Sequence, residues 1–159
     1  MKNIKWYTLV GFLVVVLLTT MFIRIPLPST GYFNFGDVAV VFSGLMLGRW
    51  GGAIAGGVGS ALADILGGFA VFSPLTLLAK GAEGLLSGFS KGKKGIMYWL
   101  FPALGCLSMV AIYFIGEIFM PQIKIAGAIA ELPANLVQAV GGYIGGKLLF
   151  EIYKRVTEN

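Results

Sequence analysis

Two runs without a single charged residue, Val10–Ile23 and Ile96–Ile115, constrain this chain more than any other feature. Their length approaches the ~20 residues a helix needs to cross the hydrocarbon core of a bilayer. Charged residues make up 12% of the 159, about half the share usual in a soluble domain. So small a supply does not clothe a fold of this size in polar side chains. The exterior is therefore expected to face lipid, where every backbone N–H and C=O must be satisfied inside the protein, and only helices and closed barrels achieve that. A barrel would alternate in polarity over about ten residues, and these runs do not. The expected fold is an all-α integral membrane protein, a single transmembrane domain over residues 1–159.

Six spans are expected, at 6–23, 37–48, 50–66, 74–90, 96–119 and 127–150. The second and third are short and are separated only by Gly48-Arg49-Trp50-Gly51. They read as a helical hairpin that does not cross the full thickness. The first span lacks a small-x-small cleavage site and runs into Arg24-Ile25-Pro26-Leu27-Pro28, so it reads as a retained helix. Lys and Arg distribution sets orientation. Lys2, Lys5, Arg49, Lys91, Lys93, Lys94, Lys147, Lys154 and Arg155 fall on one side, and only Arg24 and Lys124 on the other. That bias puts both termini in the cytoplasm. It also explains the net charge of +5 as an orientation signal and headgroup contact, leaving no role for nucleic acid.

Small residues recur every four positions at Gly44/Gly48, Gly52/Gly56/Ser60, Gly57/Ala61, Gly84/Gly88, Gly141/Gly145 and Gly142/Gly146. Such strips let helix backbones approach closely. They serve packing within the chain or docking of a second membrane subunit, and Gly52, Gly56 and Ser60 are the candidate docking face. Gly141-Gly-Tyr-Ile-Gly-Gly-Lys147-Leu148 nearly spells a phosphate-binding loop. It lacks the hydroxyl residue after the lysine and a preceding strand, so the chain carries no visible ATPase. The absence of His removes imidazole chemistry, and the lone Cys106 forms no internal disulfide.

Ionisable groups inside a span are costly in lipid and so are functional candidates. Lys80 and Glu83 sit at i, i+3 in the fourth span, either as a self-satisfied pair or with Lys80 facing a polar cavity. Glu131, Asn135 and Gln138 fall at i, i+4, i+7, one inward stripe whose amides both donate and accept. Asp37 opens the second span, as a helix cap or a site residue, and Asp64 closes the third. The loop Gly67-Gly-Phe-Ala-Val-Phe-Ser-Pro74 carries Phe69 and Phe72 on a glycine hinge, suited to close over a flat ligand. Tyr32, Phe33, Asn34 and Phe35 come from the first outer loop. All lie toward the outer side, the makings of an aromatic-walled small-molecule pocket and of uptake. Glu117 and Glu131 as an acid and base lack any nucleophile–base constellation, so no enzyme is expected. A stand-alone secondary transporter would show inverted repeats and broken helices, and no repeat is evident.

The segments Gly31-Tyr-Phe-Asn-Phe-Gly-Asp37, Leu47 through Asp64 and Pro74-Leu-Thr-Leu-Leu-Ala-Lys80-Gly-Ala-Glu-Gly84 resemble the S-components of energy-coupling factor (ECF) transporters. The nearest likeness is to the riboflavin and hydroxymethylpyrimidine branch. The resemblance implies a six-helix fold that binds a vitamin at its outer face. Riboflavin leads because aromatics abound; hydroxymethylpyrimidine, pyridoxine or a thiamine-related ligand follows. It also implies a membrane-embedded coupling subunit and two cytoplasmic ATPases as partners, and it adds Thr76 to the site. The vitamin is cargo, and no catalytic cofactor or metal is expected. The chain departs from the family in one respect: the span Trp6–Ile23 contains no Ala, and hence no Ala-x-x-x-Ala docking motif.

Overall fold

The computed structural model describes residues 5–22, 24–26 and 32–157, with the side chains of 24–26 and 32–33 excepted. Lys2 and the side chains of Arg24, Tyr32 and Phe33 therefore lie outside the described residues. Six helices follow one another: α1 (Trp6–Phe22), α2 (Gly36–Leu47), α3 (Arg49–Leu66), α4 (Ser73–Phe89), α5 (Ile96–Ile118) and α6 (Lys124–Thr157). Between α1 and α2 lies a feature the all-α expectation lacks. Strands β1 (Arg24–Pro26) and β2 (Tyr32–Asn34) pair antiparallel, with Ile25 opposite Phe33. Strands of three residues leave no periodicity to read in a sequence.

Successive helices run antiparallel. Phe12 of α1 stacks near Phe42 of α2, and Gly44 and Gly52 face each other across the α2–α3 turn. That turn is one residue, Gly48, at φ 81°, a conformation that costs a Cβ-bearing residue dearly. It is tighter than the four-residue turn expected. One end of the bundle gathers the β-ribbon and the α3–α4 and α5–α6 connections. The other gathers the start of α1, the end of α6, the α2–α3 turn and the α4–α5 connection.

The α3–α4 contact is backbone on backbone. A Cβ on Gly84 would overlap the carbonyl of Gly52, and one on Gly88 would overlap Gly48 and Arg49. Gly56 abuts the Lys80 carbonyl and Val40, and Ser60 is fully buried. The strip Gly52/Gly56/Ser60 is thus consumed inside the bundle, which corrects its reading as a docking face. Four-residue spacing defines a smooth face, not which neighbour covers it.

α2 has 12 residues, about 18 Å at 1.5 Å per residue, short of the ~30 Å hydrocarbon core. α6 has 34, about 51 Å on the same rise, and runs unbroken through 141–147. Among the described residues only α5 is both long and apolar enough to cross a membrane on length and composition alone. The distribution of side chains carries more weight. Trp6, Phe22, Trp50, Leu78, Phe119 and Val156 stand exposed, whereas Asp37, Asp64, Lys80, Glu83, Glu117, Glu131 and Gln138 are buried. A surface that turns apolar groups outward and charges inward suits a solvent of lipid.

Candidate functional site

At the β-ribbon end a hollow opens between α3, α4, α5 and α6. It is lined by Asn34, Asp64, Phe72, Thr76, Tyr113, Glu117, Glu131, Asn135 and Gln138. Its free volume is about 30 Å³, room for little more than water. Each wall has a local cause. The stripe Glu131, Asn135 and Gln138 brings three polar groups to the inward face of α6, all buried. Thr76 lies one turn into α4, whose start is set by Pro74 in the first turn, where a missing N–H costs nothing. Phe72 precedes that helix and points inward, buried.

The β-ribbon is tied to this wall. The Asn34 backbone N–H and side-chain amide both donate to Gln138 Oε1, at 2.5 and 3.4 Å. Asn34 Oδ1 accepts the Gly36 N–H at 2.7 Å, so Asn34, not Asp37, satisfies the first turn of α2. Tyr113 donates its hydroxyl to Thr76 Oγ1 at 2.9 Å, joining α5 to α4. Several polar atoms find no hydrogen-bond partner among the described residues: Glu117 Oε2, Glu131 Oε1 and Asn135 Nδ2. Unsatisfied buried polar atoms cost about 1–3 kcal/mol each. Glu117 and Glu131 lie against each other, so that one proton can bridge their carboxyls, and Asn135 Nδ2 is the atom left for a guest to satisfy.

Asp37, Lys80 and Glu83 do not line the hollow. They form a buried cluster between α2 and α4, each no more than 1% exposed. Lys80 pairs with Asp37 across the helices and with Glu83 at 3.5 Å along α4. Cys106 of α5 donates its thiol to Glu83 Oε1 at 3.5 Å. The sequence pairing of Lys80 with Glu83 is present, and Asp37 is the partner it could not show. Phe35 is exposed and lines an apolar groove with Val15, Val38 and Phe42 on the outside of the bundle. Phe69 is half-buried and outside the hollow wall, leaving Phe72 as the ring that the 67–73 loop contributes. Two wall residues escaped the site reading: Tyr113, and Glu117, which entered only as a rejected acid. Their i, i+4 spacing was the available signal, masked by the apolarity of α5.

Residues 1–155 match the ECF-type riboflavin transporter, S component, family. The chain belongs to that family. A relative in Lactococcus lactis subsp. cremoris, the thiamine precursor transporter HmpT, is 31% identical over 158 residues, covering 97% of this chain and 90% of its own. An uncharacterised protein of Pyrococcus woesei is 41% identical over 147 residues, covering 89% of this chain and 96% of its own. The S components are transport proteins of the membrane, not enzymes. In this S component the acid- and amide-lined hollow is the candidate ligand site.

Proposed function

We propose that this S component captures a small amino-substituted nitrogen heterocycle, a thiamine precursor of the hydroxymethylpyrimidine type, at the β-ribbon end of the bundle. The observation that carries the reading is the character of the hollow. Three carboxyl groups and three amides line it, and no Lys or Arg does among the described residues. An aminopyrimidine offers an exocyclic N–H₂ donor beside ring-nitrogen acceptors, complementary to Glu117, Glu131 and Asn135. Phe72 and Tyr113 supply faces for one ring. The three carboxyl groups disfavour phosphorylated ligands, whose charge would meet like charge in a low-dielectric setting.

The six helices cross the cell membrane with both termini cytoplasmic, and the hollow faces outward. A membrane-embedded coupling subunit and two cytoplasmic ATPases complete the importer and supply the energy. Admission of any vitamin requires the hollow to widen, and Phe72 on the short α3–α4 connection is the element nearest to yield. Riboflavin is the second reading, favoured by the description of the matched family. Its three fused rings demand far more widening.

Titration calorimetry on the purified protein with hydroxymethylpyrimidine and with riboflavin separates the two. Saturable pyrimidine binding with riboflavin inert is expected. A yellow preparation that binds riboflavin and ignores the pyrimidine would reverse the assignment.

A further inference from the structure

The opposite end of the bundle holds a second hollow that vitamin capture does not use. It is lined by Leu45 of α2, Ser90 to Lys94 of the α4–α5 connection, Tyr98 of α5, and Phe150 and Lys154 of α6, and encloses about 300 Å³. We propose that it binds the phosphate of an anionic glycerophospholipid.

Three observations carry this. First, four lysines, Lys91, Lys93, Lys94 and Lys154, line one space, and among the described residues no carboxylate does. The nearby Glu151 accepts the Tyr98 hydroxyl. Lys91 is held in place by donating to the Met46 carbonyl at the end of α2. Second, Ser90 is fully buried in the wall, and its Oγ has no hydrogen-bond partner among the described residues. A buried hydroxyl without a partner costs free energy, and a phosphate oxygen that displaces the side chains covering it would satisfy it. Third, the remaining lining is apolar: Leu45, Phe150 and the ring of Tyr98. Cations around an apolar wall suit a ligand that joins phosphate to glycerol and acyl chain. Free phosphate would leave that wall against water. Basic pockets between helices at a membrane surface recognise lipid headgroups by these means.

The two sources of phosphate are distinguished with the full chain in nanodiscs of phosphatidylcholine doped with phosphatidylglycerol. Native mass spectrometry is expected to show retained phosphatidylglycerol in preference to phosphatidylcholine. Each of Lys93→Gln, Lys94→Gln and Lys154→Gln is expected to lower that preference by about fivefold, with helicity and melting temperature unchanged. Ser90→Ala lowers it further while leaving the surface charge intact, a change that diffuse attraction would not produce. Equal retention of the two lipids, or a triple Gln variant that keeps the preference, overturns the proposal. Calorimetry with inorganic phosphate that matches the lipid's affinity overturns the lipid as the source.

Discussion

The two ends of this bundle handle charge in opposite ways. At the β-ribbon end Asp64, Glu117 and Glu131 are buried, carried on helices or their last turns. At the other end Lys91, Lys93 and Lys94 are exposed on a short connection. A buried charge in a membrane protein needs a partner fixed in advance, as Lys80 has in Asp37 and Glu83, or a guest that completes it. An exposed charge keeps its water and meets headgroups. The depth of a charge, more than its sign, decides what losing it costs.

The sharpest contrast is between two lysines. Lys80→Met leaves Asp37 and Glu83 facing each other without a cation, and breaking a buried pair in this way costs about 3–5 kcal/mol. Thermal unfolding in detergent is expected to show a large drop for Lys80→Met and no change for Lys94→Met. Equal melting temperatures would erase the distinction between the ends. A smaller effect is expected in the ligand hollow. Glu131→Gln removes one carboxyl acceptor while keeping shape, which corresponds to about 1–3 kcal/mol, or roughly 5- to 150-fold in pyrimidine affinity. Calorimetry showing unchanged affinity would remove Glu131 from the site. The smallest effect is salt. Raising ionic strength from about 0.1 to 1 M shortens screening from ~10 to ~3 Å. Phosphatidylglycerol retention is expected to fall several-fold, while pyrimidine affinity holds within about twofold, because screening reaches exposed charges far more than buried ones. Parallel salt curves for the two ligands would mean that both sites are equally wet.

Much of this architecture was legible in the sequence because lipid imposes simple rules. Long apolar runs located the helices, and the Glu131/Asn135/Gln138 spacing fixed an inward face without any knowledge of its neighbours. Asp64 stood out at a helix end, Phe72 on a glycine-hinged loop and Thr76 through the resemblance, and they share the hollow with that stripe. What escaped depended on contacts between distant segments. Asp37 and Lys80 are separated by 43 positions, and no local pattern announces their pairing. Tyr113 and Glu117 sit in a long apolar helix, where two polar residues blend into the background. Lys147 gives a subtler case. Pro102 has no N–H for the Tyr98 carbonyl one turn earlier, and Lys147 donates to that carbonyl at 3.2 Å instead. Each half of that arrangement is visible in the sequence, and only the fold joins them.

The contact between α3 and α4, with Gly52 pressed on Gly84 and Gly88 on Arg49, has a mechanical meaning. Two rods that touch along their own surfaces, with no side chains as bearings, have no play and move as one beam. The hollow at the β-ribbon end therefore has a stationary flank, bearing Asp64 and Thr76. Its other flank, bearing Tyr113, Glu117, Glu131, Asn135 and Gln138, belongs to α5 and α6. Whatever widens the hollow must move that flank, or the Phe72 side chain on the loop that joins the two rods, as a door swings from a fixed post.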